Sequence, residues 1–181
     1  MRLFVGIPLA DHVRAELAAV VERLRHGSGN LRWSAPESWH ITLQFLGNAG
    51  EEQLDCLLTQ LDEVRSAPVP VRLRALGTFE RAGIVFVDVD VAPALAALQQ
   101  QVVAATAKCG FVAEERPFHP HITLARARDR RRFRGLTLPR SGRQAPPQFT
   151  RFEAREFLLY ESFTEPSASR YEARGRFALG D

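Results

Sequence analysis

The segment WHITLQFLG at residues 39–47 and the segment HPHITLARAR at residues 119–128 contain the same tetrapeptide, His-Ile-Thr-Leu. The first copy starts at His40 and the second at His121, and the chain has only five histidines. Polar and apolar residues alternate in both copies, as they do in strands that bury one face. The repeat therefore predicts two equivalent strands, one in each half of the chain.

The elements around the two copies follow the same order. Each half has an apolar strand, then an amphipathic helix, and later a strand that begins His-Ile-Thr-Leu. These elements are expected at residues 2–9, 11–26 and 40–47 in the first half, and at 83–90, 93–110 and 121–127 in the second. Asp11 is expected to cap the first helix, and Gly110 to end the second.

The remaining segments complete the predicted fold. They are a short strand at 31–33, a turn at Pro36, a helix at 51–65, an extended stretch at 68–79, a loop at 135–150, and two closing strands at 153–162 and 170–179. This pattern lacks a strict βαβ rhythm, which argues against a doubly wound parallel sheet. We expect an α+β fold over residues 1–181, a single bilobal domain. Its two pseudo-symmetric lobes would be mostly antiparallel sheet with outer helices, and an active-site cleft would lie between them.

Strand geometry predicts which side chains would line that cleft. Residues i and i+2 of a strand share a face, so His40, Thr42 and Gln44 should lie on one face and Ile41, Leu43 and Phe45 on the other. By the same rule His121 and Thr123 share a face of the second strand, with Ile122 and Leu124 opposite. If the polar faces meet, the cleft holds two imidazoles and two hydroxyls.

This set of groups suits the hydrolysis of a phosphodiester. Histidine titrates near neutral pH, so one imidazole can deprotonate the attacking water while the other protonates the leaving oxygen. Hydroxyls of Thr42 and Thr123 can donate to the non-bridging oxygens of the phosphate, and Arg126 can add a charge-assisted contact. The motif itself is symmetric, so it does not say which histidine is the acid.

Neither motif contains an acidic residue that could hold Mg²⁺ or Mn²⁺, so we expect a metal-independent reaction. One alternative is a zinc-dependent hydrolase or lyase that uses His40, His119 and His121, because His-x-His with a distant histidine is a known zinc pattern. That interpretation leaves the paired threonines unexplained.

A second alternative rests on the arginines. The chain has 24 basic residues, of which Lys108 is the only lysine, and a formal net charge of +3. The stretch RARDRRRFR from Arg126 to Arg134 follows the second motif and would attract a polyanion. A non-catalytic RNA-binding module is therefore also open.

Composition indicates an ordinary soluble globular protein, 45% hydrophobic and 25% charged. The N-terminal segment lacks the long apolar stretch and cleavage site of a signal peptide, and no apolar run is long enough to cross a membrane. Cys56 and Cys109 are far apart and outside any CxxC pattern, so neither a disulfide framework nor a thiolate metal site is expected. We therefore expect a cytoplasmic protein with no membrane partner.

The doubled His-x-Thr-Leu resembles the signature of the 2H phosphoesterase superfamily, and the chain most resembles its RNA 2′,3′-cyclic phosphodiesterases, also called 2′-5′ RNA ligases. The flanks resemble the family too: RLFVGIPL at the start, WHITLQFLG, RPFHPHITLAR, and the closing LLYES and RYEARGRFAL. The resemblance runs from about residue 2 to residue 178.

The resemblance implies the hydrolysis of RNA 2′,3′-cyclic phosphate ends to 2′-phosphomonoesters with no metal or nucleotide cofactor. It also implies reversible 2′-5′ ligation by the same chemistry. It implies that His40 donates a proton to the leaving 3′ oxygen and that His121 accepts one from water. Thr42, Thr123 and Arg126 would bind the phosphate. The implied partners are RNA ends, such as those of tRNA fragments, and we expect a monomer. An aromatic side chain among Trp39, Phe118 and Tyr160 could stack on the terminal base.

Overall fold

The structure, a computed structural model, describes residues 1–26, 29–129, 133, 147–164 and 169–180. Within these residues the helices are α1 (Asp11–Arg25), α2 (Glu51–Asp62) and α3 (Pro93–Ala107). The strands are β1 (Arg2–Pro8), β2 (Leu31–Trp33), β3 (His40–Asn48), β4 (Val69–Val71), β5 (Leu73–Phe79), β6 (Ile84–Val89), β7 (His121–Ala127), β8 (Phe152–Ala154), β9 (Glu156–Thr164) and β10 (Ser169–Ala178). Short 3-10 turns cover Pro36–Ser38 and Glu80–Ala82. None of the described helices is long and apolar enough to cross a membrane.

The strands form two four-stranded sheets and one two-stranded ribbon. The first sheet has the order β10-β9-β1-β3, the second has the order β2-β7-β6-β5, and β4 pairs with β8. Every pairing between these strands is antiparallel. The structure confirms the predicted α+β fold, in which two antiparallel lobes face each other across a cleft.

The two sheets do not coincide with the two halves of the sequence. The C-terminal strands β9 and β10 complete the sheet that β1 and β3 begin, whereas β2 from the first half joins β7 in the second sheet. The correspondence between the lobes is local: β1 pairs with β3 as β6 pairs with β7. Each His-Ile-Thr-Leu strand therefore has one equivalent antiparallel neighbour.

Two predicted strands are each divided in the structure because the chain changes its partner. The stretch at 68–79 becomes β4, which pairs with β8, and β5, which pairs with β6. The closing stretch at 153–162 becomes β8 and β9, and β9 pairs with β1 and β10. Most of the predicted loop at 135–150 lies outside the described residues.

One continuous apolar core joins both sheets and all three helices. On β1 the side chains of Leu3, Val5 and Ile7 face this core and are at most 1% exposed. Full burial of such a side chain stabilises the fold by about 1.5–3 kcal/mol. Because the odd-numbered residues of β1 face the core, its even-numbered residues face the cleft.

The start of α1 differs by one residue from the expectation. The N-cap is Ala10, which makes no side-chain cap, and Asp11 is the first helical residue. Asp11 instead places its carboxylate in the first turn, where it pairs with Arg14 and complements the helix dipole.

Helices α2 and α3 pack against each other and are cross-linked. Cys56 of α2 and Cys109, just after α3, form a disulfide with a Cα–Cα distance of 5.8 Å. The expectation that the two cysteines would not pair is wrong. Their separation of 53 residues gave no signal, because only the packing of the two helices brings the sulfur atoms together.

Candidate active site

His40 and His121 open the two motif strands and lie in the cleft between the sheets. His40 pairs in register with Pro8 of β1, and His121 pairs with Asp88 of β6. Strand β3 contacts β7 across the cleft. The charges of His121 and Arg126 reach His40 from the opposite sheet. The structure thus brings together the two histidines that the sequence identified.

Each motif strand contains a β-bulge at the leucine of His-Ile-Thr-Leu. On β3, Thr42 pairs with Gly6 and Gln44 with Val5, so Leu43 has no partner of its own. On β7, Thr123 pairs with Phe86 and Ala125 with Val85, so Leu124 is the extra residue. A bulge of one residue exchanges the faces of the residues directly after it.

The bulge corrects the predicted faces of β3. Gln44, expected in the cleft, is buried at 4% exposure and its Oε1 accepts a hydrogen bond of 2.7 Å from the hydroxyl of Thr106 on α3. Phe45, expected in the core, pairs with Phe4 and is 54% exposed on the cleft face. The bulge on β7 places Arg126 on the cleft face in the same way. Phe45 and Arg126 are therefore equivalent positions on opposite walls.

Both histidines present the same ring nitrogen to the cleft. His40 Nδ1 lies 2.8 Å from the backbone oxygen of Ser38, and His121 Nδ1 lies 2.8 Å from the backbone oxygen of His119. A carbonyl can only accept, so each Nδ1 carries the proton and donates it. In the neutral ring, Nε2 is then the unprotonated nitrogen that is available for proton transfer.

The environment keeps both rings neutral at pH 7. Burial lowers the pKa of His40 to about 4, an effect that the charges of His121 and Arg126 add to and the hydrogen bond to Ser38 opposes. Burial also lowers the pKa of His121, while its hydrogen bond to the His119 carbonyl and the carboxylate of Asp88 oppose the shift. In the free cleft each imidazole is a base without a proton on Nε2.

Aromatic rings hold His40 in place. The ring centroid of Phe4 lies 4.6 Å from that of His40, and Tyr171 meets the imidazole edge-on at 5.1 Å. Tyr160 stacks on Phe4 at 4.9 Å. Burial raises the pKa of Tyr160 to about 12, so this wall stays uncharged at neutral pH.

A matching wall surrounds His121. Phe79 and Phe86 approach its ring at centroid distances of 5.1 and 5.4 Å.

Two glycines make room for the aromatic walls around His40 and His121. A Cβ on Gly77 would lie 2.5 Å from the ring of Phe86, and a Cβ on Gly6 would lie 2.9 Å from the oxygen of Ile41 and 3.4 Å from the His40 ring. These glycines give the two imidazoles their positions.

His119 lies beside His121, with ring centroids 5.6 Å apart, but its Nε2 is engaged by a carboxylate. Its Nε2 lies 2.6 Å from Oδ1 of Asp88, on the neighbouring strand. Among the described residues no three histidines, cysteines or carboxylates are grouped as a metal site would require. The geometry does not favour the zinc alternative with His40, His119 and His121, because His119 is bound to Asp88.

The aromatic candidates from the sequence have different surroundings. Trp39 is 4% exposed and belongs to the core, and Phe118 packs against that core. Tyr160 is part of the wall behind His40. Phe45 is the aromatic residue that sequence reasoning missed, because strict alternation assigned it to the buried face. The equivalent bulges at Leu43 and Leu124 could not be predicted from the sequence alone.

Thr42, Thr123 and Arg126 lie on the cleft-facing sides of their strands. Thr42 is paired with Gly6, Thr123 with Phe86, and Arg126 with Ile84. Arg126 is exposed. Of the arginine-rich stretch that follows it, residues 130–132 and 134 lie outside the described part of the chain.

Comparison with known proteins gives matches that cover most of the chain or nearly all of it. The family model of the 2′-5′ RNA ligase superfamily matches residues 11–161, which include both motifs. An RNA 2′,3′-cyclic phosphodiesterase of Archaeoglobus fulgidus is 30% identical over 95% of this chain and 97% of the relative. One from Escherichia coli is 29% identical over 98% of this chain and 96% of the relative. The crystal structure of E. coli LigT complexed with 3′-AMP superposes with a TM-score of 0.80 at 28% identity, covering 99% of this chain and 98% of that one.

Proposed function

Because the chain belongs to the 2′-5′ RNA ligase superfamily, we propose that it hydrolyses RNA 2′,3′-cyclic phosphate ends to 2′-phosphomonoesters without a metal ion. The observation that carries this proposal is the pair of imidazoles on facing strands, each with Nδ1 tied to a backbone carbonyl and Nε2 free for proton transfer. Relatives named RNA 2′,3′-cyclic phosphodiesterase, about 30% identical over nearly their full length, support the same reaction.

The reacting phosphate would lie between the two motif strands. The hydroxyls of Thr42 and Thr123 donate to its non-bridging oxygens, and the guanidinium of Arg126 offsets its charge. An in-line displacement needs the attacking water and the leaving oxygen on opposite sides of phosphorus. Two histidines on facing strands meet this requirement, whereas two on one strand would not.

We assign His40 as the proton donor to the leaving 3′ oxygen and His121 as the acceptor from water, as the family resemblance implies. His40 is neutral in the free cleft, so it takes up its proton as the anionic phosphate binds and offsets the positive charge of Arg126. His121 already has a free Nε2 and needs no change before it accepts the proton of water.

The proposed substrate is an RNA end, tRNA fragments included. Phe45 offers an exposed ring on the cleft wall on which the terminal base can stack. The related E. coli LigT forms a complex with 3′-AMP, which supports the binding of a nucleotide with a phosphate on its 3′ side. In the reverse direction a 5′-hydroxyl replaces water and the histidines exchange roles, which gives 2′-5′ ligation.

The proposed molecule is a monomer that folds as one domain over residues 1–181. We place it in the cytoplasm. Because disulfides are rare in the cytosol of mesophiles, this placement requires the bond between Cys56 and Cys109 to withstand a reducing compartment.

Product identification tests the proposal directly. An oligonucleotide with a 2′,3′-cyclic phosphate end is expected to yield a 2′-phosphate, resolved by ³¹P NMR from the 3′-phosphate that would contradict it. His40→Ala and His121→Ala are each expected to lower turnover by about 10²–10⁴-fold, the size of a lost general acid or base. Full activity in either variant, with an unchanged circular dichroism spectrum, would show that the two histidines do not carry the reaction. Chelation with EDTA is expected to leave turnover unchanged.

A further inference from the structure

Two arginines lie directly opposite each other on the cleft face of the second sheet. Strand β2 pairs antiparallel with β7, and Arg32 is in register with Arg126. Residues in such a register project to the same face, with Cβ atoms about 5 Å apart. The neighbours of Arg32 confirm its face, because they pack on the opposite side of the sheet in a small apolar cluster: Leu31 and Trp33 with Val85, Ala125 and Phe133.

Neither guanidinium is paired with a carboxylate among the described residues. Arg32 and Arg126 are both exposed. Other arginines of the described chain behave differently: Arg74, Arg155 and Arg176 each have a carboxylate oxygen within 3.0 Å. Like charges directly opposite on neighbouring strands destabilise a sheet. An anion bound between or beside the two guanidiniums would remove this repulsion.

The two arginines occupy different distances from the reacting groups. Arg126 is near enough to His40 and His121 to lower the pKa values of both rings. Arg32 is not among the groups that shift either pKa. Arg32 lies one strand further from the centre of the cleft, on the outer strand β2. A side chain there is placed for a second negative group rather than for the reacting phosphate.

The charges along the cleft face also give a direction to the substrate. Asp88 is in register with His121 at the start of β7, whereas Arg126 and Arg32 lie together near its end. A polyanion that holds its terminal phosphate between the histidines is repelled by the carboxylate and attracted by the guanidiniums. A nucleic acid chain would therefore leave the cleft over the end of β7 and across β2.

We propose that Arg32 binds the phosphodiester on the 5′ side of the terminal nucleotide and so makes the enzyme prefer RNA ends over mononucleotides. This inference rests on the proposed function, because it takes the terminal phosphate to lie at the histidines. Arg126 contacts the reacting phosphate, and Arg32 contacts the next one along the chain. The pair reads the backbone and not the base sequence.

Two substrates that differ by one phosphodiester test the proposal. Adenosine 2′,3′-cyclic phosphate has none on its 5′ side, and the dinucleotide ApA with a 2′,3′-cyclic phosphate end has one. Arg32→Ala is expected to lower kcat/KM about tenfold for the dinucleotide, the size of one charge-assisted contact, and less than twofold for the mononucleotide. Arg32→Lys should recover part of the loss. The matched control is Arg23→Ala, which removes an equal charge from an exposed position on α1.

An equal loss on both substrates would overturn the proposal, because Arg32 would then act on the reacting phosphate or on the fold. No loss on the dinucleotide would overturn it as well. Thermal unfolding of each variant shows whether the fold is intact.

Binding gives a second readout that does not depend on turnover. Fluorescence anisotropy with a labelled, 2′-phosphate-ended dinucleotide is expected to show weaker binding by Arg32→Ala than by Arg23→Ala. The plot of log K against log salt should lose about 0.7 of its slope, the value for one contact to a single strand. If the wild type turns over neither substrate, the proposed function fails, and unchanged binding by Arg32→Ala would overturn the present inference separately.

Discussion

The disulfide between Cys56 and Cys109 makes a quantitative prediction about stability. It closes a loop in which the two cysteines are 53 residues apart, and the chain-entropy relation gives about 4 kcal/mol of stabilisation for a loop of this size. The whole free energy of unfolding of a domain is about 5–15 kcal/mol. Loss of this bond should therefore remove a large part of the stability, and for a chain of this size Tm should fall by roughly 8–16 °C.

The perturbation is the double variant Cys56→Ala with Cys109→Ala, compared with wild type in the presence and absence of dithiothreitol. Urea unfolding at 25 °C should show a lower midpoint for reduced wild type and for the double variant. The double variant itself should not respond to dithiothreitol. Because the bond joins α2 to the end of α3, away from the histidines, turnover of the folded variant should be close to wild type.

Alkylation with iodoacetamide under native, non-reducing conditions decides whether the bond exists. Mass spectrometry should find no modified cysteine before reduction and two after it. Two alkylated cysteines in the folded, unreduced protein would refute the reasoning, and so would an unfolding midpoint that does not move on reduction. The same alkylation in intact cells reports whether the compartment of the protein allows the bond to form.

Three further predictions concern the cleft. The pKa of His40 falls from 6.5 in the unfolded chain to about 4 in the folded one, so folding favours the neutral ring, and up to about 3 kcal/mol of stability should be lost as pH falls from 6.5 to 4. Urea unfolding of wild type and of His40→Gln over this pH range measures the loss. If the stability of both proteins depends on pH in the same way, the prediction is wrong. The carboxylate of Asp88 raises the pKa of His121. If His121 is the base, Asp88→Asn should therefore move the acidic limb of the pH profile of kcat/KM to lower pH. A shift of the alkaline limb would instead make His121 the acid and His40 the base. The added methyl group of Gly6→Ala should displace the ring of His40 and lower kcat at least tenfold. The control is Gly29→Ala, whose Cβ meets nothing within 4 Å and which should leave kcat unchanged. Equal activities of the two variants would show that the close approach at Gly6 is unimportant.

The repeated tetrapeptide made much of the site predictable. It predicted that both histidines and both threonines lie on strands facing one cleft, and the order of elements around it predicted two antiparallel lobes that face each other. The helices and most strands begin and end within a few residues of the predicted positions, because apolar periodicity, proline and glycine are local signals.

The remaining features depend on contacts between distant parts of the chain. The bulges at Leu43 and Leu124 are features of the pairing of β3 with β1 and of β7 with β6, and no residue type in the motif predicts them. Strict alternation therefore misplaced Gln44 and Phe45. The disulfide was missed for a similar reason, because the residues next to Cys56 and Cys109 in the sequence do not predict that α2 packs on α3.

The crossing of β2 into the second sheet ties the two lobes together mechanically. The segment from β2 to His40 leaves the second sheet at Ser34, whose backbone N–H donates to the oxygen of Leu124 on β7 at 2.8 Å. Four residues later, the carbonyl of Ser38 holds the Nδ1 proton of His40. The short segment from Ser34 to Ser38 is thus anchored on the second sheet and orients the imidazole of His40 on the first. A shift of one sheet relative to the other would therefore move the Ser38 carbonyl that fixes the tautomer of His40.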